Sequence, residues 1–129
     1  MFEPIPVETE RVVTHVMDAA FKVHRALGPG LLESVYEICL CHELAKQNIP
    51  FQRQFSLPVV YDGVRLDAGL RLDLLVQDVV IVELKAVEKM NSLYEAQLLT
   101  YLKLTDKRIG LLINFNTPVL KDGFKRLVH

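Results

Sequence analysis

Cysteine is nearly missing from this chain. Cys39 and Cys41 are the only two among 129 residues. Two positions apart on a helix they point in roughly opposite directions, so they cannot staple the fold, and they lack the spacing of a zinc site. They read as two reduced thiols packed in or near the core. Histidine is also sparse, and His15, His24, His42 and His129 form no ligand cluster, which argues against zinc. Mean hydropathy is +0.22, yet no apolar run approaches the ~18 residues that span a bilayer. The opening Met1-Phe2-Glu3-Pro4-Ile5-Pro6 has neither a basic region nor an apolar stretch. It is no secretory signal, and a cytoplasmic location without membrane contact is expected. Excess charge is lacking too: the net charge of −1 argues against a protein that coats nucleic acid nonspecifically. Repeats, linkers and low-complexity stretches are absent. The length and a hydrophobic content of 50% suit one compact domain over residues 1–129.

The charge that is present is unevenly spread. Residues 103–129 carry six basic side chains (Lys103, Lys107, Arg108, Lys121, Lys125, Arg126) against two acidic ones. That edge either faces a polyanion or is an ordinary solvated surface, and composition favours the second.

Periodicity gives the element order. Val12, Val16, Ala19, Val23 and Ala26 recur at three and four and predict a helix over 8–27, ended by Gly28-Pro29-Gly30. A second helix is predicted over 31–47, with Leu32, Val35, Cys39 and Leu40 on its apolar side. The period then becomes two. Phe51, Phe55, Leu57 and Val59 predict a strand, with Pro58 marking an edge position or a bulge. Asp62-Gly63 is a strong hairpin turn. From 64 to 76, Val64, Leu66, Ala68, Leu70, Leu72, Leu74 and Val76 are expected on one face, and Arg65, Asp67, Gly69, Arg71 and Asp73 on the other. Residues 79–86 form a short apolar strand. Ser92-x-x-Glu95 has capping-box spacing for a helix from near Leu93 to about Leu104. Ile109 to Phe115 is a buried strand, and Phe124 to Val128 a short final one after Asp122-Gly123. The class is α/β, with helices covering a small mixed sheet.

Asp73, Glu83 and Lys85 stand out because they interrupt apolar strands, where charge is costly unless paired or bound to a metal. If the two strands pair antiparallel with residue numbers summing to 156, Asp73 lies opposite Glu83, with Cβ atoms about 4.5–5.5 Å apart. Carboxylates that close repel unless a cation sits between them. Mg²⁺ prefers such oxygens and keeps several waters. This pattern suggests metal-assisted phosphodiester cleavage, with Lys85 on the face of Glu83 orienting or deprotonating water or stabilising phosphate charge. The other arrangement these residues allow is a structural salt-bridge cluster, though a buried ion pair is a costly way to stabilise a sheet. Glu33 and Tyr36 lie three apart on one helix face. Gln97 and Tyr101 lie four apart on another, with Tyr94 one turn before. Taken alone, Glu33 reads as a helix-dipole partner and the later pair as a half-buried polar stripe.

Together these residues resemble the GxxExxY protein family, within the PD-(D/E)XK nuclease-like superfamily. Gly30, Glu33 and Tyr36 match the name motif, Ile81-Val82-Glu83-Leu84-Lys85-Ala86-Val87-Glu88 looks like the core strand, and Glu95-Ala96-Gln97-Leu98-Leu99 looks like the following helix. The likeness runs from about residue 8 to 128. It implies a three-layer α/β/α fold with a central mixed sheet and a restriction-endonuclease-like core. It implies catalytic roles for Glu33, Asp73, Glu83 and Lys85, with Mg²⁺ or Mn²⁺ held at Asp73, Glu83 and Glu33. Tyr36, Gln97 and Tyr101 are implied as substrate-binding, the last two matching the Gln-x-x-x-Tyr of the exonuclease branch. Tyr94 departs from the pattern, which has histidine there. The expectation is a metal-dependent nuclease acting on DNA, with RNA the other candidate, and with a homodimer or partner protein supplying further grip. The alternative is a non-catalytic nucleic-acid-binding or scaffold module that keeps the fold.

Overall fold

The computed structural model describes residues 3–129. Its elements follow in the order α1 (Val7–Leu27), α2 (Glu33–Lys46), β1 (Phe51–Tyr61), β2 (Val64–Val76), β3 (Val80–Lys85), α3 (Ser92–Thr105), β4 (Ile109–Asn114), a 3-10 turn (Leu120–Gly123) and β5 (Phe124–Val128). The five strands form one sheet in sequence order. Each neighbouring pair is antiparallel except β3 and β4, which run parallel. Parallel neighbours need a crossover, and α3 supplies it. Among the described residues no helix is long and apolar enough to cross a membrane.

Helices cover both faces of the sheet, as expected for three layers. On one face α1 and α2 bury Val16, Ala19, Leu40 and Leu44 against Leu74, Val82 and Leu111. On the other, α3 buries Leu98 and Leu102 against Leu75, Ile81 and Leu112. β3 and β4 are buried on both sides, which is why they read as near-continuous apolar runs. β1 is an edge strand, and its register shifts between Leu57 and Val59, so Pro58 sits where a missing N–H does no harm. Asp62 and Gly63 both have positive φ, 55° and 74°, the backbone that a two-residue hairpin turn requires.

Four local expectations are corrected. Ala26 is exposed, and the last buried turn of α1 uses His24, whose Nε2 lies 2.7 Å from the Thr117 carbonyl oxygen. α2 begins at Glu33, so Leu32 precedes it and is exposed; the buried face is Tyr36, Leu40 and Leu44 with Glu37 and Cys41. Ile38-Cys39-Leu40-Cys41 is apolar all round, so periodicity alone could not fix that phase. α3 is capped by Asn91, whose Oδ1 accepts from the Leu93 N–H at 2.8 Å, in place of Ser92. The alternation of β2 does not run unbroken: Leu70 and Leu72 pack on the α3 side, Leu74 and Val76 on the α1/α2 side. The change of phase falls at Asp73. On β1 the ladder skips Gln54, between the Arg53–Leu74 and Phe55–Leu72 pairs, and Gln54 has φ +51°.

Candidate functional site

The β2–β3 ladder pairs Leu74 with Val82, Leu75 with Ile81 and Val76 with Val80. This is the register that sets Asp73 opposite Glu83. Beyond Leu74 the backbone ladder stops and side chains take over. The Leu84 N–H donates to Asp73 Oδ2 at 2.8 Å, and the Asp73 N–H donates to Glu83 Oε2 at 3.2 Å. Each carboxylate therefore satisfies a main-chain donor of the opposite strand and is held rigidly.

Glu83 is only 6% exposed. Burial, then a hydrogen bond and the charge of Asp73, push its carboxyl up to about 9. Glu83 therefore holds its proton at neutral pH. Lys85, on the same strand, only partly opposes this. Its Nζ lies over the Tyr94 ring, 4.4 Å from the centroid. Among the described residues it forms no ion pair with either carboxylate. Tyr94 thus seats the ammonium by a cation–π contact.

Glu33 opens α2, and its carboxyl is raised by burial and by the charge of Asp73, with Lys85 opposing. It stands within electrostatic reach of the pair. Among the described residues, however, no three Asp, Glu, His or Cys side chains converge so as to hold a metal. Asp73 and Glu83 present the two facing carboxylates, with Glu33 beside them. That set fits Mg²⁺, which is commonly held through one or two carboxylates and keeps its waters.

The other expected residues fall in different places. Tyr36 is fully buried and stacks on Phe115 at 4.6 Å. Its hydroxyl donates to the Gly28 carbonyl at 2.6 Å and accepts from the Leu31 N–H at 3.1 Å. It cannot touch substrate from there. Its work is to pin the turn at Gly28–Leu31, including Gly30 at φ +101°, and so to fix where Glu33 begins α2. Tyr101 is buried, and burial followed by the charges of Glu83 and Asp73 raises its phenol, so it stays protonated beside the acids. Gln97 is exposed, one turn before it. The basic edge at 103–129 is partly neutralised. Arg126 forks onto Glu10 at 2.6 and 2.7 Å, Lys107 meets Asp78, Lys125 meets Glu95, and Arg108 donates to the carbonyls of His129 and Glu3.

Some contributing residues were not read from the sequence. Asn114, beside Lys85 in the β3–β4 register, accepts from the Val87 N–H and donates to the Val87 carbonyl, pinning the chain just past Lys85. Glu37 accepts from Arg53 and Gln54. The one available signal was its i,i+4 spacing from Glu33 on a helix.

A mixed sheet layered between helices, with two facing carboxylates and a lysine on its central strands, defines a nuclease-like α/β fold. The family model described as the PD-(D/E)XK nuclease superfamily matches residues 10–127, and the chain belongs to that superfamily. No curated protein and no solved structure matches it.

Proposed function

We propose that this chain is a single-domain, divalent-metal-dependent nuclease of the GxxExxY branch that hydrolyses phosphodiester bonds of DNA. The observation that carries the reading is the facing Asp73–Glu83 pair, with Glu83 buried and Asp73 half-buried, and, among the described residues, with no cationic side chain bonded to either. Such a pair is destabilising in itself and well suited to a hard cation. Asp73 and Glu83 would hold Mg²⁺ or Mn²⁺. When bound, such an ion supplies an activated water and charge stabilisation at the phosphate. The protein's groups do the rest. Tyr94 holds Lys85 so that its ammonium offers charge to a phosphate oxygen. Glu33, with its raised carboxyl, orients water beside the pair. Tyr101 keeps its phenolic proton and supports the acids, and Gln97 is the exposed group open to the substrate strand. Tyr36 acts by positioning Glu33.

A second reading, a nucleic-acid-binding or scaffold module without catalysis, is favoured by one observation: three of the six C-terminal basic groups are already ion-paired within the chain. Cleavage of labelled linear, circular and single-stranded DNA in Mg²⁺ and Mn²⁺ separates the two, with Lys85→Ala run alongside. Cutting by the wild type and at least a hundredfold loss in the variant, about 2.7 kcal/mol of transition-state stabilisation, is the expected result. Cleavage that survives in Lys85→Ala would remove its catalytic role, and no cutting by the wild type in either metal would favour the second reading.

A further inference from the structure

Consecutive residues of a strand normally point to opposite faces. Arg53 and Gln54 do not. Arg53 Nε donates to Glu37 Oε2 at 2.7 Å, and Gln54 Nε2 donates to Glu37 Oε1 at 2.8 Å. Two neighbours on β1 reach one carboxylate because Gln54 sits at φ +51°, a conformation uncommon for a residue with a side chain. Glu37 is 5% exposed. A buried carboxylate is stable only when fully bonded, and here each oxygen has its own donor.

The way Arg53 is held matters more than the pairing itself. Glu37 takes the Nε, and among the described residues the terminal NH₂ groups have no hydrogen-bond partner. The side chain is 46% exposed. A guanidinium anchored through Nε with its far edge open presents donors in a fixed plane, a shape that matches a phosphate. An ion pair serving only to tie α2 to β1 has no need of Gln54, nor of its left-handed backbone.

Its location is next to the proposed site. Glu37 follows Glu33 by one helical turn, about 5–6 Å between Cβ atoms. Gln54 lies on β1 between the two pairs that flank Asp73. Asp73, Glu33, Glu37 and Arg53 thus form a continuous polar line running from the carboxylate pair to the sheet edge. Three basic residues of the C-terminal edge, Lys107, Lys125 and Arg126, are ion-paired elsewhere, whereas Arg53, though paired with Glu37, keeps the outer edge of its guanidinium open along this line.

We infer that Arg53, oriented by Glu37 and Gln54, is a phosphate-binding residue that grips the nucleic-acid backbone beside the bond to be cut. This rests on the nuclease reading above. The experiment is fluorescence anisotropy of a short fluorescein-labelled DNA oligonucleotide, single-stranded and duplex, titrated over a range of salt in EDTA so that nothing is cut. Arg53→Gln should bind about tenfold more weakly at low salt. Its plot of log affinity against log salt should be shallower by about one phosphate contact. Arg53→Lys keeps a cation for Glu37 and so keeps the melting temperature, but lacks the outward fork, and should bind as poorly as Arg53→Gln. Unchanged affinity and slope in Arg53→Gln, or wild-type binding by Arg53→Lys, would overturn the inference while leaving the nuclease reading intact, since the wild type would still bind and cut. A wild type that neither binds nor cuts DNA would overturn both.

Discussion

Glu83 ionises in the folded chain only against loss of water and against both a hydrogen bond with Asp73 and the charge of Asp73. Its folded pKa lies above the ordinary carboxylate value. As pH rises past that ordinary value, the unfolded chain releases the proton while the folded chain keeps it. Stability contributed by this group is therefore full at low pH and lost as pH rises toward the folded pKa. Glutamine keeps the shape and cannot ionise. Glu83→Gln is expected to melt with the wild type near pH 4.5 and to be more stable at pH 8 by about 2 kcal/mol, roughly 5–10 °C. Thermal melts of the metal-free proteins at the two pH values check this, and a gap that does not change with pH would count against a raised Glu83 carboxyl. Cys41 shows the opposite lesson. Burial pushes its thiol up to about 11, so it is inert packing, as its sequence context suggested.

At the scale of elements, the site depends on ends and interruptions. α2 must start at Glu33, and the Tyr36 hydroxyl guarantees this by bonding both sides of the preceding turn. β2 must keep the register that pairs Leu74 with Val82, because that register sets Asp73 opposite Glu83. α3 must start where Tyr94 lies under Lys85, and its first turn is set by Asn91. Asn91→Ala is expected to cost about 1 kcal/mol, seen as a lower midpoint in urea, whereas Ser92→Ala should change little. The reverse ranking would restore the Ser92 capping box.

For the whole molecule, stability and metal binding should be one linked equilibrium. The carboxylate pair is least favourable when both acids are charged, and a divalent cation binds that same form. Mg²⁺ or Mn²⁺ is expected to raise the melting temperature, by about 2.7 kcal/mol at a hundred times Kd. The rise should grow with pH up to the folded pKa of Glu83, because the ion displaces a proton. Calorimetric titration in two buffers of different ionisation enthalpy should show a proton released near neutral pH. A metal effect that is flat across pH, or absent, would count against Asp73 and Glu83 as its ligands.

Much of this was written in the chain itself. Two helical stripes, a change to period two, Asp62-Gly63 and Pro58 at the edge determined the element order, because each is a local matter of backbone preference and side-chain spacing. The spacing of Asp73 and Glu83 about a short turn even set their register. What the sequence could not decide were choices made by partners distant along the chain. Tyr36 reads as a motif residue, and only its stacking on Phe115 makes it core. Glu33 taken alone reads as a helix-dipole partner, and only the packing of α2 sets it within electrostatic reach of the carboxylate pair. The basic C-terminal edge reads as an isolated patch until Glu10, Asp78 and Glu95 fold against it. Glu37 carries only its spacing from Glu33, and Arg53 and Gln54 carry no local signal, since it takes a helix laid over a strand, and a strand bent at Gln54, to bring three such residues to one point.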